Sequence, residues 1–298
     1  MSTLSKEQID HYRTEGYLVE SSLFSRDEVN HIKDAIRDLT LRTVESGNEK
    51  NVMELEPESI NGERVARRIF HPFEQDEDFQ KMAKDPRIVD RIVSLIGPNL
   101  SLHHSKLNLK PAKVGSVVEW HQDLAYFPHT NDDLVTTLIY LDDTTVENGC
   151  LQVMPRQHKH YFDHRLPDGS FAGMITETIG DGLLSDPVSL PAPAGSVIFM
   201  HCITPHSSLP NRSDSSRRTL IFEYRAADSF PIYFGNGDYI DFLEEHAHHL
   251  QGEPARFARF GGPPAMIPHM STPKSLYTLQ DEAKEKGQTP SLAETASS

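Results

Sequence analysis

The chain has 298 residues, an apolar fraction of 37% and a charged fraction of 24%, values typical of a soluble globular protein with a sizeable core. Its net charge of −15 is not offset by any basic stripe, which argues against a nucleic-acid partner. No apolar run approaches the ~18 residues that span a bilayer, so we expect no membrane partner.

The compartment is suggested by the cysteines and by the first residues of the chain. Cys150 and Cys202 are the only cysteines and make no disulfide framework, which is typical of a reducing environment. The segment MSTLSKEQIDHYRTEGY is polar and lacks a signal-peptide core. We therefore expect a cytoplasmic protein in which both cysteines are small buried residues.

Helix signals open the chain. Ser5 can cap a first helix that Gly16 ends, and the strand-like YLV follows. Ser25 and Glu28 form the capping-box pattern of a second helix, which ends near Gly47. These signals predict helices packed outside the rest of the fold.

Two further segments complete a mainly helical part over about residues 1–98. Residues 45–65 are polar and aperiodic, which predicts a loop. Residues from about 76 to 96 are helical in pattern and end at a Gly-Pro pair.

The pattern changes to short strands over about residues 99–228. Runs such as LVTTLIYL, SVIFMH and RRTLIFEYR are separated by Gly- and Pro-containing turns without intervening helices. This is typical of an antiparallel sandwich or jelly roll. We expect one domain over residues 1–278, with an irregular segment at 229–278 acting as a flap and a flexible tail at 279–298.

The segment EWHQDLAYFPH raises the question of a metal site, because His121, Asp123 and His129 all carry metal-ligating atoms. On a strand, residues i and i+2 point to the same face, so His121 and Asp123 could converge on one ion. A surface pair is the alternative, since the chain holds 16 histidines.

A second segment, GSVIFMHCITPHSSLPNRSDSSRRTLIFEY, supplies further candidates. His201 or His206 could complete a two-histidine, one-carboxylate triad for Fe(II), which leaves three positions open. A bidentate 2-oxo acid would take two of them, and its distal carboxylate would need a cation such as Arg217. We expect two paired strands to carry His206 and Arg217 into one cavity.

Together these segments resemble the phytanoyl-CoA dioxygenase family of Fe(II)- and 2-oxoglutarate-dependent oxygenases. WHQDLAYFP, ENGCLQVMPRQHKH, the segment containing both histidines and, more loosely, IDHYRTEGYLV match it in order and spacing over most of residues 6–228. The resemblance implies a mainly β protein with flanking helices, whose core is a double-stranded β-helix, the jelly roll also found in cupins.

The resemblance also assigns roles to individual residues. His121, Asp123 and His206 fall on the metal ligands, and His201 becomes a neighbour of the site. Arg217 falls on the arginine that pairs with the distal carboxylate of 2-oxoglutarate, while Arg218 points to the other face. On the strand HHSKLNLKP, Asn108 and Lys106 share a face with Lys110 and become candidate cosubstrate contacts.

The remaining aromatic and histidine residues divide into three groups. Tyr126, Phe127 and His129 could line the mouth through which substrate enters, and Trp120 is expected in the core. Three histidines after a turn are expected to be solvated: His158, His160 and His164. For EEHAHHL, an exposed helical face is favoured over a second metal site: His246, His248 and His249.

The implied activity is that of a dioxygenase that uses Fe(II), 2-oxoglutarate and O₂ and releases succinate and CO₂. Hydroxylation of an unactivated C–H bond in a small-molecule metabolite is the expected outcome, although desaturation, cyclisation or endoperoxidation would use the same residues. Asp123 argues against halogenation, which needs a small residue there. The alternatives are a non-catalytic binding or sensor module and a cupin-like metal protein that does not use 2-oxoglutarate. A homodimer is left open.

Overall fold

A computed structural model describes residues 3–60, 63–177, 187–232, 248–264, 266–268 and 274–287. Within these ranges the helices are α1 (Lys6–Glu15), α2 (Arg26–Ser46), α3 (Glu49–Val52), α4 (Pro72–Gln75), α5 (Glu77–Ala83), α6 (Pro86–Ile96) and α7 (Leu276–Glu285).

The strands fall into two groups along the chain. Those before residue 122 are β1 (Tyr17–Glu20), β2 (Met53–Ile60), β3 (Glu63–Phe70), β4 (Leu100–Lys110) and β5 (Val118–His121). Those after it are β6 (Leu134–Tyr140), β7 (Leu151–Val153), β8 (Val188–Ser189), β9 (Val197–His201), β10 (His206–Ser208), β11 (Arg217–Ala226) and β12 (His248–Gln251).

The strands form two antiparallel sheets, which confirms the jelly-roll prediction. The larger sheet has the order β1-β9-β6-β11-β4-β3-β2, with β12 also paired to β4, and the smaller has the order β5-β10-β7-β8. The outer face of the larger sheet packs against the helices in the largest apolar cluster. A second cluster, which includes Tyr140 and Ile221, lies on the opposite, inner face.

The capping signals of the first two helices are confirmed. The Ser5 and Ser25 side chains each accept a hydrogen bond from the backbone three residues later, and each capping box is complete. Gly16 and Gly47 follow the helices in left-handed conformations, at φ of 86° and 68°, which glycine adopts without a Cβ clash.

The prediction of a loop over residues 45–65 is wrong. Its second half forms β2, which pairs with β3 at the edge of the larger sheet, with Met53 opposite Ile69. An edge strand needs little apolar alternation, and this one contains the buried polar residue Glu56.

The helix predicted from about 76 to 96 is interrupted. Asp85 accepts a hydrogen bond from the backbone N–H of Arg87, and Pro86 opens a new helix. Proline has no N–H to continue the preceding helix and disfavours a helical conformation in the residue before it. The segment is therefore divided into α5 and α6.

The C-terminal expectations also need correction. Residues 279–285, assigned to a flexible tail, belong to α7, which buries Leu279, Gln280 and Ala283. His248 and His249 lie on β12 instead of a helix, while His246 lies outside the described residues. None of the described helices is long and apolar enough to cross a membrane. The flap at 229–278 lies partly outside the described residues and stays a prediction.

Candidate active site

The smaller sheet brings two histidines together. His121 ends β5 and His206 begins β10, and the two residues face each other in the antiparallel register. Asp123 follows in a short 3₁₀ turn at Asp123–Ala125. The Nε2 atoms of His121 and His206 lie 3.9 and 3.8 Å from Asp123 Oδ1. All three side chains are buried, and their potential ligand atoms lie within 4.8 Å of one another.

Hydrogen bonds fix which atom of each side chain faces the space between His121, Asp123 and His206. The Nδ1 atoms of His121 and His206 lie 2.8 and 3.0 Å from the carbonyl oxygens two residues earlier. Each Nδ1 can therefore donate its proton to a carbonyl, leaving Nε2 free to bind a metal. Thr136 Oγ1 donates to Asp123 Oδ2 at 2.8 Å, so Oδ1 is left to face the same space.

The electrostatics favour the protonation states that bind metals. Burial lowers the pKa of His121 and of His206, which keeps both rings neutral. Burial alone would raise the pKa of Asp123, but the positive charge of Lys106 and the hydrogen bond from Thr136 act against it and hold that pKa below its usual value. Two neutral imidazole nitrogens and one carboxylate oxygen are the donor set of non-haem Fe(II) oxygenases, so these residues fit that ion.

The residue between the first two candidate ligands is held on several sides. Gln122 is fully buried, and its amide group donates to the carbonyls of His160 and Ile203 and accepts from the Phe162 N–H. Its backbone N–H donates to Nε2 of His164 at 3.2 Å. The Gln122 and His164 contacts therefore fix the turn that orients His121 and Asp123.

These contacts correct one prediction and confirm another. His164 is fully buried and His158 is 6% exposed, so neither is solvated as expected, whereas His160 is exposed. Sequence reasoning overlooked His164 because a histidine after a turn is usually at the surface. Trp120, Cys150 and Cys202 are buried, as predicted.

A cavity opens on the three candidate ligands. Lys106, Asn108 and Arg217 line it, as do several residues that were not singled out from the sequence: Arg68, Thr136, Leu138, Tyr140, Ile221 and Leu276. Alternation along β6 places Thr136, Leu138 and Tyr140 on one face. That pattern could have identified them once Thr136 was placed beside Asp123.

Arg217 is a buried cation held by a hydroxyl and a carbonyl group. Its Nη1 donates to Thr219 Oγ1 at 3.0 Å, and its Nε donates to the Gly149 carbonyl at 3.1 Å. No carboxylate pairs with it among the residues that the structure describes. Arg218, on the opposite face of β11, forms a two-pronged ion pair with Asp142 at 2.8 and 2.7 Å.

The expectation that paired strands carry His206 and Arg217 is wrong. β10 belongs to the smaller sheet and β11 to the larger one. Both residues nevertheless line the same cavity, because the two sheets face each other across it. One wall of the cavity, the histidine wall, carries His121 and His206 from the smaller sheet. The opposite wall, the cationic wall, carries Arg68, Lys106 and Arg217 from the larger sheet.

Lys106 belongs to a buried polar chain on the cationic wall. Its Nζ lies 2.7 Å from Glu223 Oε1 and 3.7 Å from Asp123 Oδ1. Glu223 is 1% exposed, and burial raises its pKa to about 8 against the opposing effect of Lys106. His104 Nε2 lies 3.3 Å from the same Glu223 oxygen. Lys106 thus connects Asp123 to a second buried acid.

The remaining predicted residues lie beside the cavity. His201 accepts the Ile203 N–H at Nδ1 and is not part of the His–Asp–His group. The ring of Tyr126 meets that of His121 edge-on at 5.7 Å. Phe127 and His129 are buried, with their rings 4.8 and 4.7 Å from that of His103.

The comparisons with known proteins agree with this geometry. Residues 12–219 match the family described as phytanoyl-CoA dioxygenase (PhyH). The chain belongs to the phytanoyl-CoA dioxygenase family. It is 33% identical to a probable alpha-ketoglutarate-dependent hypophosphite dioxygenase of Stutzerimonas stutzeri, over 91% of this chain and 93% of the relative. It is 28% identical to the ectoine dioxygenase of S. stutzeri strain A1501, over 76% and 78%.

Solved structures show the same architecture. EctD from S. alaskensis in its apoform superposes with a TM-score of 0.62 at 26% identity, covering 75% of this chain and 78% of that one. EctD with 2-oxoglutarate and 5-hydroxyectoine gives a TM-score of 0.65 at 23% identity, covering 87% and 88%. As a phytanoyl-CoA dioxygenase family member, the chain is an oxygenase whose cofactors are Fe(II), 2-oxoglutarate and O₂.

Proposed function

We propose that this enzyme hydroxylates an unactivated C–H bond of a small-molecule metabolite, with His121, Asp123 and His206 as the iron ligands. The observation that carries this proposal is that three buried ligand atoms meet in one cavity. The same cavity contains Arg217, which pairs with no carboxylate of the described residues. A binding module would not need both features. Bound Fe(II) with 2-oxoglutarate supplies oxygen activation coupled to release of succinate and CO₂.

The protein's own contribution is positioning. The Arg217 guanidinium binds the distal carboxylate of 2-oxoglutarate, and Thr219 holds that guanidinium in place. Asn108 and Lys106 contact the cosubstrate from the neighbouring strand β4. Apolar side chains such as Leu138 and Leu276 limit water around the reacting bond.

A second candidate reaction is oxidation of a P–H bond. The relative at 33% identity is described as a hypophosphite dioxygenase, and hypophosphite is a small anion that suits a cavity containing Arg68, Lys106 and Arg217. The ligands and the arginine would serve both reactions alike, since only the bond presented to the iron differs.

The experiment is a coupled assay of succinate formation by the iron-loaded enzyme. We expect succinate in amounts equal to hydroxylated product with one member of a panel that includes hypophosphite, ectoine and proline. His206→Ala should release none. Iron binding without any 2-oxoglutarate consumption would contradict the proposal and favour the cupin-like alternative, and absence of iron binding would favour a non-catalytic module.

Several finer expectations belong to the same proposal. Tyr126, Phe127 and His129 are proposed to line the substrate mouth, and Tyr126 is the one whose ring contacts a candidate ligand. Three expectations stay predictions: the cytoplasmic location, the single domain over residues 1–278 and the absence of a nucleic-acid partner. A homodimer stays an open question.

A further inference from the structure

Arg68 is a second buried guanidinium that lines the cavity, and no described residue gives it an acidic partner. It lies on β3 and is 6% exposed. Its Nε donates to Asn108 Oδ1 at 3.1 Å, and its guanidinium lies over the Tyr277 ring at 5.0 Å. Within the described part of the chain, no carboxylate pairs with it and its two Nη groups have no protein acceptor.

The neighbouring Arg67 provides the contrast. Arg67 is also buried and also lies over Tyr277, at 4.2 Å. It points away from the cavity lining and pairs with Glu54 at 2.8 Å. A buried guanidinium normally has such a partner, because an unpaired buried charge costs several kcal/mol. Arg68 therefore has the donors of an anion site without the anion.

The cosubstrate does not account for this charge. 2-Oxoglutarate has two carboxylates, of which one chelates iron and the other is assigned to Arg217. Arg68 stands on β3, two strands from the strand that carries Arg217, which is about 10 Å across a sheet. A ligand at Arg68 would thus lie to the side of the line between the iron ligands and Arg217.

The charges in the cavity point to the same conclusion. Three cationic side chains line it, Arg68, Lys106 and Arg217, against two carboxyl groups, that of Asp123 in the lining and that of Glu223 beside Lys106. Fe(II) and the 2-oxoglutarate dianion carry opposite and equal charges, so their binding leaves the positive excess unchanged. An anionic substrate would neutralise it.

Space limits the size of that substrate. The same cavity, which contains the three candidate iron ligands and Arg217, must accommodate the cosubstrate and the substrate together. Leu276 from α7 and Val118 from β5 form part of its wall.

We propose that Arg68 is a specificity-determining residue that binds a compact oxyanion, a single carboxylate or phosphorus oxyacid group, on the substrate. This inference rests on the proposed function, since it names the substrate class of the same site. Asn108 fixes the guanidinium through Nε, so that the Nη groups face the cavity and can bind two oxygens of one anion.

The test measures binding without turnover. Protein loaded with Mn(II) and 2-oxoglutarate is titrated with hypophosphite, and the ³¹P signal is followed for paramagnetic broadening near the metal. Formate, acetate and phosphite then compete, which distinguishes carboxylates from phosphorus oxyanions. We expect broadening that saturates and that at least one carboxylate or phosphorus oxyanion displaces.

Variants separate a binding role from a structural one. Arg68→Met should weaken anion binding about tenfold or more, the expected loss of a charge-assisted hydrogen bond, and Arg68→Lys should restore part of it. Arg67→Met, which removes the other guanidinium on Tyr277, should leave anion binding within about twofold. The 2-oxoglutarate affinity of Arg68→Met should fall by less than its anion affinity, since the variant loses only the hydrogen bond that Arg68 donates to Asn108 on the cosubstrate side.

Three outcomes would overturn the proposal. Equal broadening in wild type and Arg68→Met would show that the anion does not use Arg68. A loss of 2-oxoglutarate affinity in Arg68→Met as large as the loss of anion affinity would assign the guanidinium to the cosubstrate. Absence of binding by every anion of the panel would exclude the compact oxyanion class, while Mn(II) and 2-oxoglutarate binding in the same samples would leave the proposed function standing.

Discussion

The two faces of β11 differ in chemistry and in what they do. Toward the helices the strand presents Leu220, Phe222 and Tyr224, all in the largest apolar cluster. Toward the cavity it presents Arg217 and Ile221. Because side chains alternate along a strand, one ten-residue segment supplies both the core that stabilises the fold and the cation assigned to the cosubstrate. Substitutions on the face toward the helices should therefore lower stability, and substitutions on the face toward the cavity should weaken ligand binding.

The largest effect is expected on the metal side of the cavity. His206→Ala removes one of three ligands, so iron binding should weaken by more than the roughly 10–100-fold that loss of a supporting contact causes, and turnover should be lost. Iron content after anaerobic dialysis measures this. His201→Ala, which lies outside the His–Asp–His group, is the control and should retain iron.

A change on the outer face should affect stability alone. Phe222→Ala leaves a void beside the helices and should lower the free energy of unfolding by about 3–5 kcal/mol, because Phe222 is fully buried. Urea unfolding measures the loss. At low temperature, where the variant stays folded, its iron and 2-oxoglutarate affinities should match wild type. A selective loss of 2-oxoglutarate affinity would contradict the division between the faces.

A smaller effect, on iron affinity, is expected when the hydrogen bond to the carboxylate ligand Asp123 is removed. Thr136→Val removes the hydroxyl that donates to Asp123 Oδ2 while keeping the shape of the side chain. Iron affinity should fall about 10–100-fold, with little change in the unfolding midpoint of the metal-free protein. Thr137→Val, on the outer face of the same strand, should leave iron affinity unchanged.

The last effect is a pH dependence of stability at His164. Burial lowers the pKa of this ring to about 4 from the ordinary value of 6.5, so the unfolded chain takes up the proton first as the pH falls. Its contribution is fully present above pH 6.5 and is lost as the pH falls from 6.5 toward 4, by up to about 1.4 kcal/mol per pH unit.

His164→Gln should remove that contribution to the slope in the metal-free protein. Urea unfolding of both proteins at several pH values between 5 and 7 gives the comparison. Equal slopes in the two proteins would mean that His164 is not kept neutral by the fold.

The iron triad was predictable because its residues are local and chemically distinctive. His121 and Asp123 stand two positions apart, and the segment around His206 matches a known family in order and spacing. Short strands separated by glycine and proline turns predicted an antiparallel sandwich or a jelly roll, and the resemblance to the family selected the jelly roll. These signals depend on neighbours in sequence, which a single chain displays directly.

Apart from Lys106 and Asn108, the part of the cationic wall beyond Arg217 could not be predicted in the same way. Arg68 and Leu276 reach the cavity from β3 and α7, segments far apart in the chain whose placement depends on tertiary packing. The sequence around β2 is polar because an edge strand needs no apolar face. Helix α7 is short, and one of its contacts with the rest of the fold is the ring of Tyr277, which lies against the guanidinium groups of Arg67 and Arg68.

The central claim is that one cavity combines facial iron ligands with an arginine for 2-oxoglutarate. The most direct test is anaerobic addition of Fe(II) and then 2-oxoglutarate, followed by the visible charge-transfer band of an iron-bound 2-oxo acid. We expect the band in wild type, and in Arg218→Met at the same 2-oxoglutarate concentration, because Arg218 pairs with Asp142 outside the cavity. Arg217→Met should need at least about tenfold more 2-oxoglutarate. Iron binding without the band, or equal requirements in the two variants, would contradict the account.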